Sequence, residues 1–320
     1  MRRLLVVALL ATACSHPNAP RKAAEPGLSP RLTATPAGRL IALGKQAEGV
    51  AVDPVTHLAA VGLRDPFAIS LVNTRSGVVT RTVAVPGHVR HLALQGDHVL
   101  VPLEDTGSLV LLRLPEGEVA ARVPTAGYPH GVTAVGADAQ LVGNEHGGRV
   151  TLVRNGSVVA TARGFPQPGG VAASRDGLYV VDVAASTLTR LDPITLSRRK
   201  TVQAGDGPTH LVATKDGTLI VVDTRGDAVT LYSPDLRVLR RVQLRGTPYG
   251  IAYDEVREQV WITLTALNRV VCLAAKDLTG VRSAPTVRQP NTVGVDSSSG
   301  VVVVASRSDG LLELIPPRGP

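Results

Sequence analysis

The 320-residue chain is poor in cysteine, aromatic side chains and long apolar runs. Cys14 and Cys272 are its two cysteines, too few for a disulfide framework. With two Phe, one Trp and five Tyr it offers little surface for stacking bases, so nucleic acid is not an expected partner. Carbohydrate platforms also use exposed aromatic faces, whereas the sole Trp261 sits in an apolar stretch that reads as core. The apolar run Leu4 to Leu10 falls far short of the roughly 20 residues a membrane-spanning helix needs. No phosphate loop, nucleophile elbow or paired-cysteine metal motif is present, and no segment has convincing helical periodicity.

The N-terminus carries its own information. Arg2 and Arg3, the apolar run and the small residues Ala11-Thr12-Ala13 before Cys14 read as an export signal over residues 1–13. The small residues before the cysteine resemble the lipobox of bacterial lipoproteins, although Ala11 stands where that family usually has Leu. The resemblance implies lipidation of Cys14, an anchor on the extracytoplasmic side of the membrane and a place in the cell envelope. Residues 14–37 hold Pro17, Pro20, Pro26, Pro30 and Pro36 among small residues, so they read as an extended, solvated tether. The remaining segment, 38–320, is expected to be one large all-β domain and a monomer.

Within that domain the strongest signal is a repeat. A turn leads into a short apolar strand at Gly49-Val50, His91-Leu92, Gly131-Val132, Gly170-Val171, His210-Leu211, Gly250-Ile251 and Thr292-Val293. The apolar members are spaced by 42, 40, 39, 40, 40 and 42 residues, the period of a propeller blade. The fold expected is therefore a seven-bladed β-propeller of four-stranded antiparallel blades. The seventh unit ends one strand short, and the spare segment Arg39 to Gly44 has an outer-strand pattern. It is expected to complete the last blade and close the ring.

The fourth and fifth units, Leu178 to Asp182, Ser186 to Asp192 and Gly205 to Ala213, resemble the YVTN-type propeller repeat of bacterial surface and periplasmic proteins. That resemblance implies the fold and leaves function open, because such propellers host unrelated activities. The formal net charge of +8, two of it from Arg2 and Arg3, invites a nucleic-acid reading. However, Arg81, Arg122, Arg163, Arg198, Arg199, Lys200, Arg240, Arg241 and Arg245 fall on or beside expected outer strands, where charge protects a sheet edge.

The residues just before each inner strand should converge on one mouth of the channel. They are Glu48, Arg90, His130, Gly169, Thr209, Tyr249 and Asn291, with His91 and His210 where other units have glycine. We expect a protein or small-molecule ligand to engage Glu48, Arg90, His91, His130, His210, Tyr249 and Asn291. Loop residues Arg64, Asp65, Glu104, Asp105, Glu145, His146, Arg225, Asp227, Arg307 and Asp309 should surround the same face. No catalytic residue, metal ligand or cofactor is assigned. The alternative is a metal-assisted hydrolase or lyase using Glu48 and the histidines with a divalent ion. Ala47 to Asp53 resembles the start of the metal-dependent lactonase propellers, but Gly169 and Thr209 stand where that family needs oxygen ligands. Streptogramin-lyase propellers place catalytic histidines in late blades, and here the sixth and seventh units contain no histidine.

Overall fold

The computed structural model describes residues 23–317. The signal segment, Cys14 and residues 15–22 lie outside the described residues. Within it the chain forms seven four-stranded antiparallel sheets; six run in chain order from an inner to an outer strand, and the seventh takes the N-terminal Arg39–Ala42 as its outer strand. Two short 3-10 turns, Glu145–Gly147 and Thr265–Leu267, are the helical elements among the described residues. Each inner strand touches the next, and the first, Lys45–Asp53, touches the last, Pro290–Asp296, so the sheets close a ring.

The composition explains this arrangement. Second strands such as Leu178 to Asp182 and Val302 to Ser306 are buried along their whole length, because neighbouring blades cover both faces. Seven clusters of buried aliphatic side chains result, one at each blade-to-blade interface. Trp261 and Cys272 belong to the cluster between the sixth and seventh blades. Burial pushes the Cys272 thiol up to about 12, which makes it a small inert hydrophobe.

Ring closure follows the expected route. Arg39–Ala42 pairs antiparallel with Leu311–Ile315, placing Leu40 opposite Glu313 and Ile41 opposite Leu312. Ile41 is buried between the seventh and first blades with Leu312, Leu314 and Val303. The expected tether is not free in solvent throughout. Ala24 and Ser29 are buried, and Ala37 N–H donates to the Pro285 carbonyl. Its composition predicts solvation because it lacks apolar bulk; polar contacts to blade loops, with the small side chains of Ala23, Ala24 and Ala37 packed against the blades, hold it down.

Candidate functional site

Five of the seven inner strands begin with proline and are irregular at the next residue. Register shifts fall between Pro129 and Gly131, Pro168 and Gly170, Pro208 and His210, Pro248 and Ile251, and Pro290 and Thr292. The first blade shifts likewise between Ala47 and Val50. The residues left out of the ladder are Glu48 with Gly49, His130, Gly169, Thr209, Tyr249 with Gly250, and Asn291. A bulge re-aims the side chain it carries, so these residues converge on one end of the channel. Glycine follows where the next blade's carbonyl presses in: a Cβ on Gly131 would meet the Gly169 oxygen at 2.4 Å. His91 and His210 meet the same neighbouring carbonyls by hydrogen bonds. His91 N–H donates to the His130 carbonyl at 3.2 Å, and His210 Nδ1 to that of Tyr249 at 3.1 Å.

Around the mouth the ionisable groups satisfy one another. Glu48 is 2% exposed and faces three guanidinium groups: Arg64 at 3.0 Å, Arg90 at 3.2 Å and Arg307 at 3.8 Å. Burial alone would raise its pKa, but Arg90, Arg307 and Arg64 together hold it below the ordinary value. On the other side of Arg90, His130 Nδ1 lies 2.6 Å from Glu145 Oε2 and 3.1 Å from Glu104 Oε1. Arg90 Nε lies 3.1 Å from that same ring nitrogen. Both nitrogens cannot donate to each other, and the shorter contact decides: His130 Nδ1–H donates to Glu145, while Arg90 Nε–H donates to Glu104 at 3.2 Å. Burial and Arg90 push the His130 pKa down, but Glu145 and Glu104 win and raise it. Burial opposes ionisation of Glu145 as well, yet His130 and Gln167 carry it down to about 2.

Beside this charged group lies a neutral one. His91 Nε2 and His210 Nε2 are 2.9 Å apart, and His210 stacks edge-on to Tyr249 with centroids 4.6 Å apart. A carbonyl only accepts, so His210 Nδ1 carries the proton; its Nε2 then accepts from His91 Nε2–H. Burial first, and then the neighbouring His130, brings His210 down to about 4. Burial and His210 hold His91 well below its ordinary value. Burial, with Glu48 next, raises the Tyr249 phenol.

Apart from Glu48, which lines neither, the residues of the expected ring face two cavities. Arg90, His130, His210 and Tyr249 line a pocket of about 20 Å³, covered from outside by Ala24 and Glu25. On the inner side His91, His210 and Asn291 end a channel of about 410 Å³. That channel is walled by the inner strands, with Leu94, Val132, Ala173, Ala213, Tyr253 and Val295 among its side chains. Asn291 Oδ1 accepts from Gln289 Nε2 at 3.0 Å, while its buried Nδ2 has no partner among the described residues. Thr209 bonds to Thr224 at 2.7 Å, a local structural contact.

Of the loop residues, Arg64, Glu104, Glu145 and Arg307 join the cluster. Asp105 instead pairs with His88, Asp65 with Lys45, Asp309 with Arg288, and Asp227 caps the loop at Gly246 and Thr247. The available signal was charge balance: a buried glutamate needs cations from adjacent loops, and Arg64 and Arg307 stand at equivalent places in their units.

A divalent ion fits this site poorly. The ligand atoms of Glu104, His130 and Glu145 lie within 4.8 Å of one another. Yet Arg90 Nε already sits 3.1 to 3.2 Å from two of them, and the guanidinium supplies the positive charge an ion would bring. Glu48, the lactonase-like ligand position, is likewise surrounded by arginines.

No protein-family profile and no curated protein matches the sequence. Solved structures match it by shape. Kuenenia stuttgartiensis hydrazine synthase superposes with a TM-score of 0.75 at 15% identity, covering 86% of this chain and 96% of that one. A streptogramin B lyase gives 0.73 at 15% identity, with 86% and 97% covered. The β-propeller domain of Cps50 (Swd1) from Myceliophteria thermophila gives 0.72 at 14% identity, with 86% and 97% covered. Identities this low establish the fold: the protein is a seven-bladed β-propeller. The class spans catalytic and scaffolding proteins, so function has to be argued from the site.

Proposed function

We propose that the chain is a lipid-anchored, extracytoplasmic binding propeller that takes a slender ligand with both polar and apolar groups into its central channel. The observation that carries this reading is the 410 Å³ channel ending on His91, His210 and Asn291. Its wall offers small aliphatic side chains and the free edges of inner strands, with a few polar groups at one end to orient a ligand. Glu48, Arg90, His130 and Tyr249 support that end from behind. The titratable groups around the mouth are engaged with one another, which favours a rigid binding site over proton-transfer chemistry. The Ala11-Thr12-Ala13-Cys14 pattern supports the anchor and the envelope location.

Protein extracted from its native envelope and analysed by native mass spectrometry should carry a bound small molecule. Filling the channel with Ala173→Phe should remove it while leaving the circular dichroism unchanged. A ligand retained by that variant would overturn the channel assignment. For the anchor, Cys14→Ser should move the full chain from the detergent to the aqueous phase on detergent partition.

The second reading, a metal-assisted hydrolase or lyase, is favoured by the proximity of Glu104, His130 and Glu145. It requires a stoichiometric divalent metal that is lost in a His130→Ala, Glu48→Ala double variant. Elemental analysis of the purified chain decides between the two.

A further inference from the structure

The segment before the closing strand crosses the channel mouth. Ala24 packs against Gly207 of the fifth blade, and Ala24 and Glu25 cover the pocket that holds Arg90, His130 and Tyr249. Residues 27–30 then enter a cleft between the loops of the sixth and seventh blades. Its one bulky apolar side chain there, Leu28, is 91% exposed, so hydrophobic burial does not hold it. Hydrogen bonds do. Gln289 Nε2 donates to the Gly27 carbonyl at 2.9 Å, and Gln289 Oε1 accepts from Ser29 N–H at 2.9 Å. One side-chain amide thus reads two main-chain groups of an extended peptide, as a neighbouring strand would.

The remaining contacts add sequence selectivity. Ser29 is buried; its hydroxyl donates to the Thr265 carbonyl and accepts from Gln289 N–H at 3.0 Å. Asn268 Nδ2 donates to the Pro30 carbonyl at 3.0 Å. At position 27 a Cβ would stand 2.7 Å from Thr247 Oγ1, so only glycine fits without displacing that side chain. Position 28 points to solvent. The cleft therefore reads glycine, any residue, then a hydroxyl-bearing residue whose successor offers a carbonyl.

We infer that this cleft is a peptide-recognition site for extended Gly-x-Ser segments, occupied in cis by residues 27–30, and that its occupant holds Ala24 and Glu25 over the mouth. Two features separate this from ordinary packing. The segment precedes Arg39–Ala42, so its release opens no blade, and its contacts are polar and read the backbone. A competing peptide in trans would free the mouth. The inference stands independently of which ligand enters the channel.

The test uses a fluorescent synthetic peptide spanning residues 24–33 and the full-length chain. Gly27→Val with Ser29→Val should empty the cleft, and this variant should then bind the peptide. The intact chain should bind it on the order of 100-fold more weakly, because the tethered segment competes at millimolar effective concentration. A peptide bearing the same two substitutions should not bind the variant. Failure of the folded variant to bind the native peptide, or equal binding of both peptides, would overturn the inference. Should the variant not fold, a protease site replacing residues 33–36 of the otherwise native chain serves instead. After cleavage the N-terminal piece should dissociate on dilution and be displaced faster by added peptide; a piece that no peptide displaces counts against the site. A channel ligand lost or kept in these experiments bears only on the proposed function.

Discussion

Glu48 shows how a single side chain organises the mouth of this propeller. A buried carboxylate is tolerated only when cations and hydrogen bonds repay its desolvation, and three arginines from the first, second and seventh units do so. Removing the charge while keeping the shape leaves those arginines facing one another. Glu48→Gln should therefore lower stability by about 3–5 kcal/mol in a denaturant melt at pH 7. Acid titration tests the neighbouring histidines. His210 is depressed to about 4 from an ordinary 6.5, so the unfolded chain binds a proton there that the folded chain refuses. Its contribution is complete above pH 6.5 and is lost as the pH falls toward 4, about 3 kcal/mol in all. His130 runs the other way: its pKa is raised, so its contribution is complete below 6.5 and is lost as the pH rises through its folded value. Stability should climb from pH 4 to 6.5 and level or decline above that. His210→Gln should flatten the acid limb. A melting temperature as steep as before in that variant would show that the titration arises elsewhere.

At the scale of the strand, the bulge after each inner-strand proline links sequence to site. It takes one or two residues out of the ladder and turns them toward the axis, and it brings the next residue against the adjacent blade's carbonyl. A methyl group at Gly131 has nowhere to go. Gly131→Ala should cost about 1–3 kcal/mol, the range for overpacking a close-packed interior. It should also shift the His130 resonances in NMR spectra, whereas Ala121→Gly on an outer strand should leave them in place. These positions were legible in the sequence as the residues before seven apolar strands, because a strict period fixes which side chains share an end. What the period could not reveal was depth. It gave Glu48, Arg90, His91, His130, His210, Tyr249 and Asn291 a common ring, whereas packing sets Arg90, His130 and Tyr249 in one cavity, His91 and Asn291 in another, His210 between the two, and Glu48 in neither. Glu104 and Glu145, drawn inward by His130, come from loops whose reach depends on charge pairing. The N-terminal segment escaped for a similar reason: hydropathy registers apolar burial, and Gly27 to Pro30 is held by hydrogen bonds.

For the whole molecule the decisive feature is that no blade has a face of its own. Each apolar cluster is shared by two neighbouring sheets, so a sheet at an open end of the ring would expose one side of its core. Arg39–Ala42 prevents this by covering the edge of Leu311–Ile315 and inserting Ile41 between the last and first blades. Stability should consequently be a property of the closed circle, with all blades melting together. Trp261 makes this observable. It is the sole tryptophan and sits in the cluster between the sixth and seventh blades, so its fluorescence reports the closing region while far-ultraviolet dichroism averages over every strand. In the intact chain the two transitions should coincide, as for a single cooperative unit. Ile41→Asp buries a charge at the seam without shortening the chain. It should move the fluorescence transition to lower denaturant and leave the dichroism transition behind, broadened, as the ring opens at one place and the far blades persist. Two curves that shift together would mean that the circle is held by the inner strands alone. The clasp would then contribute stability without contributing closure.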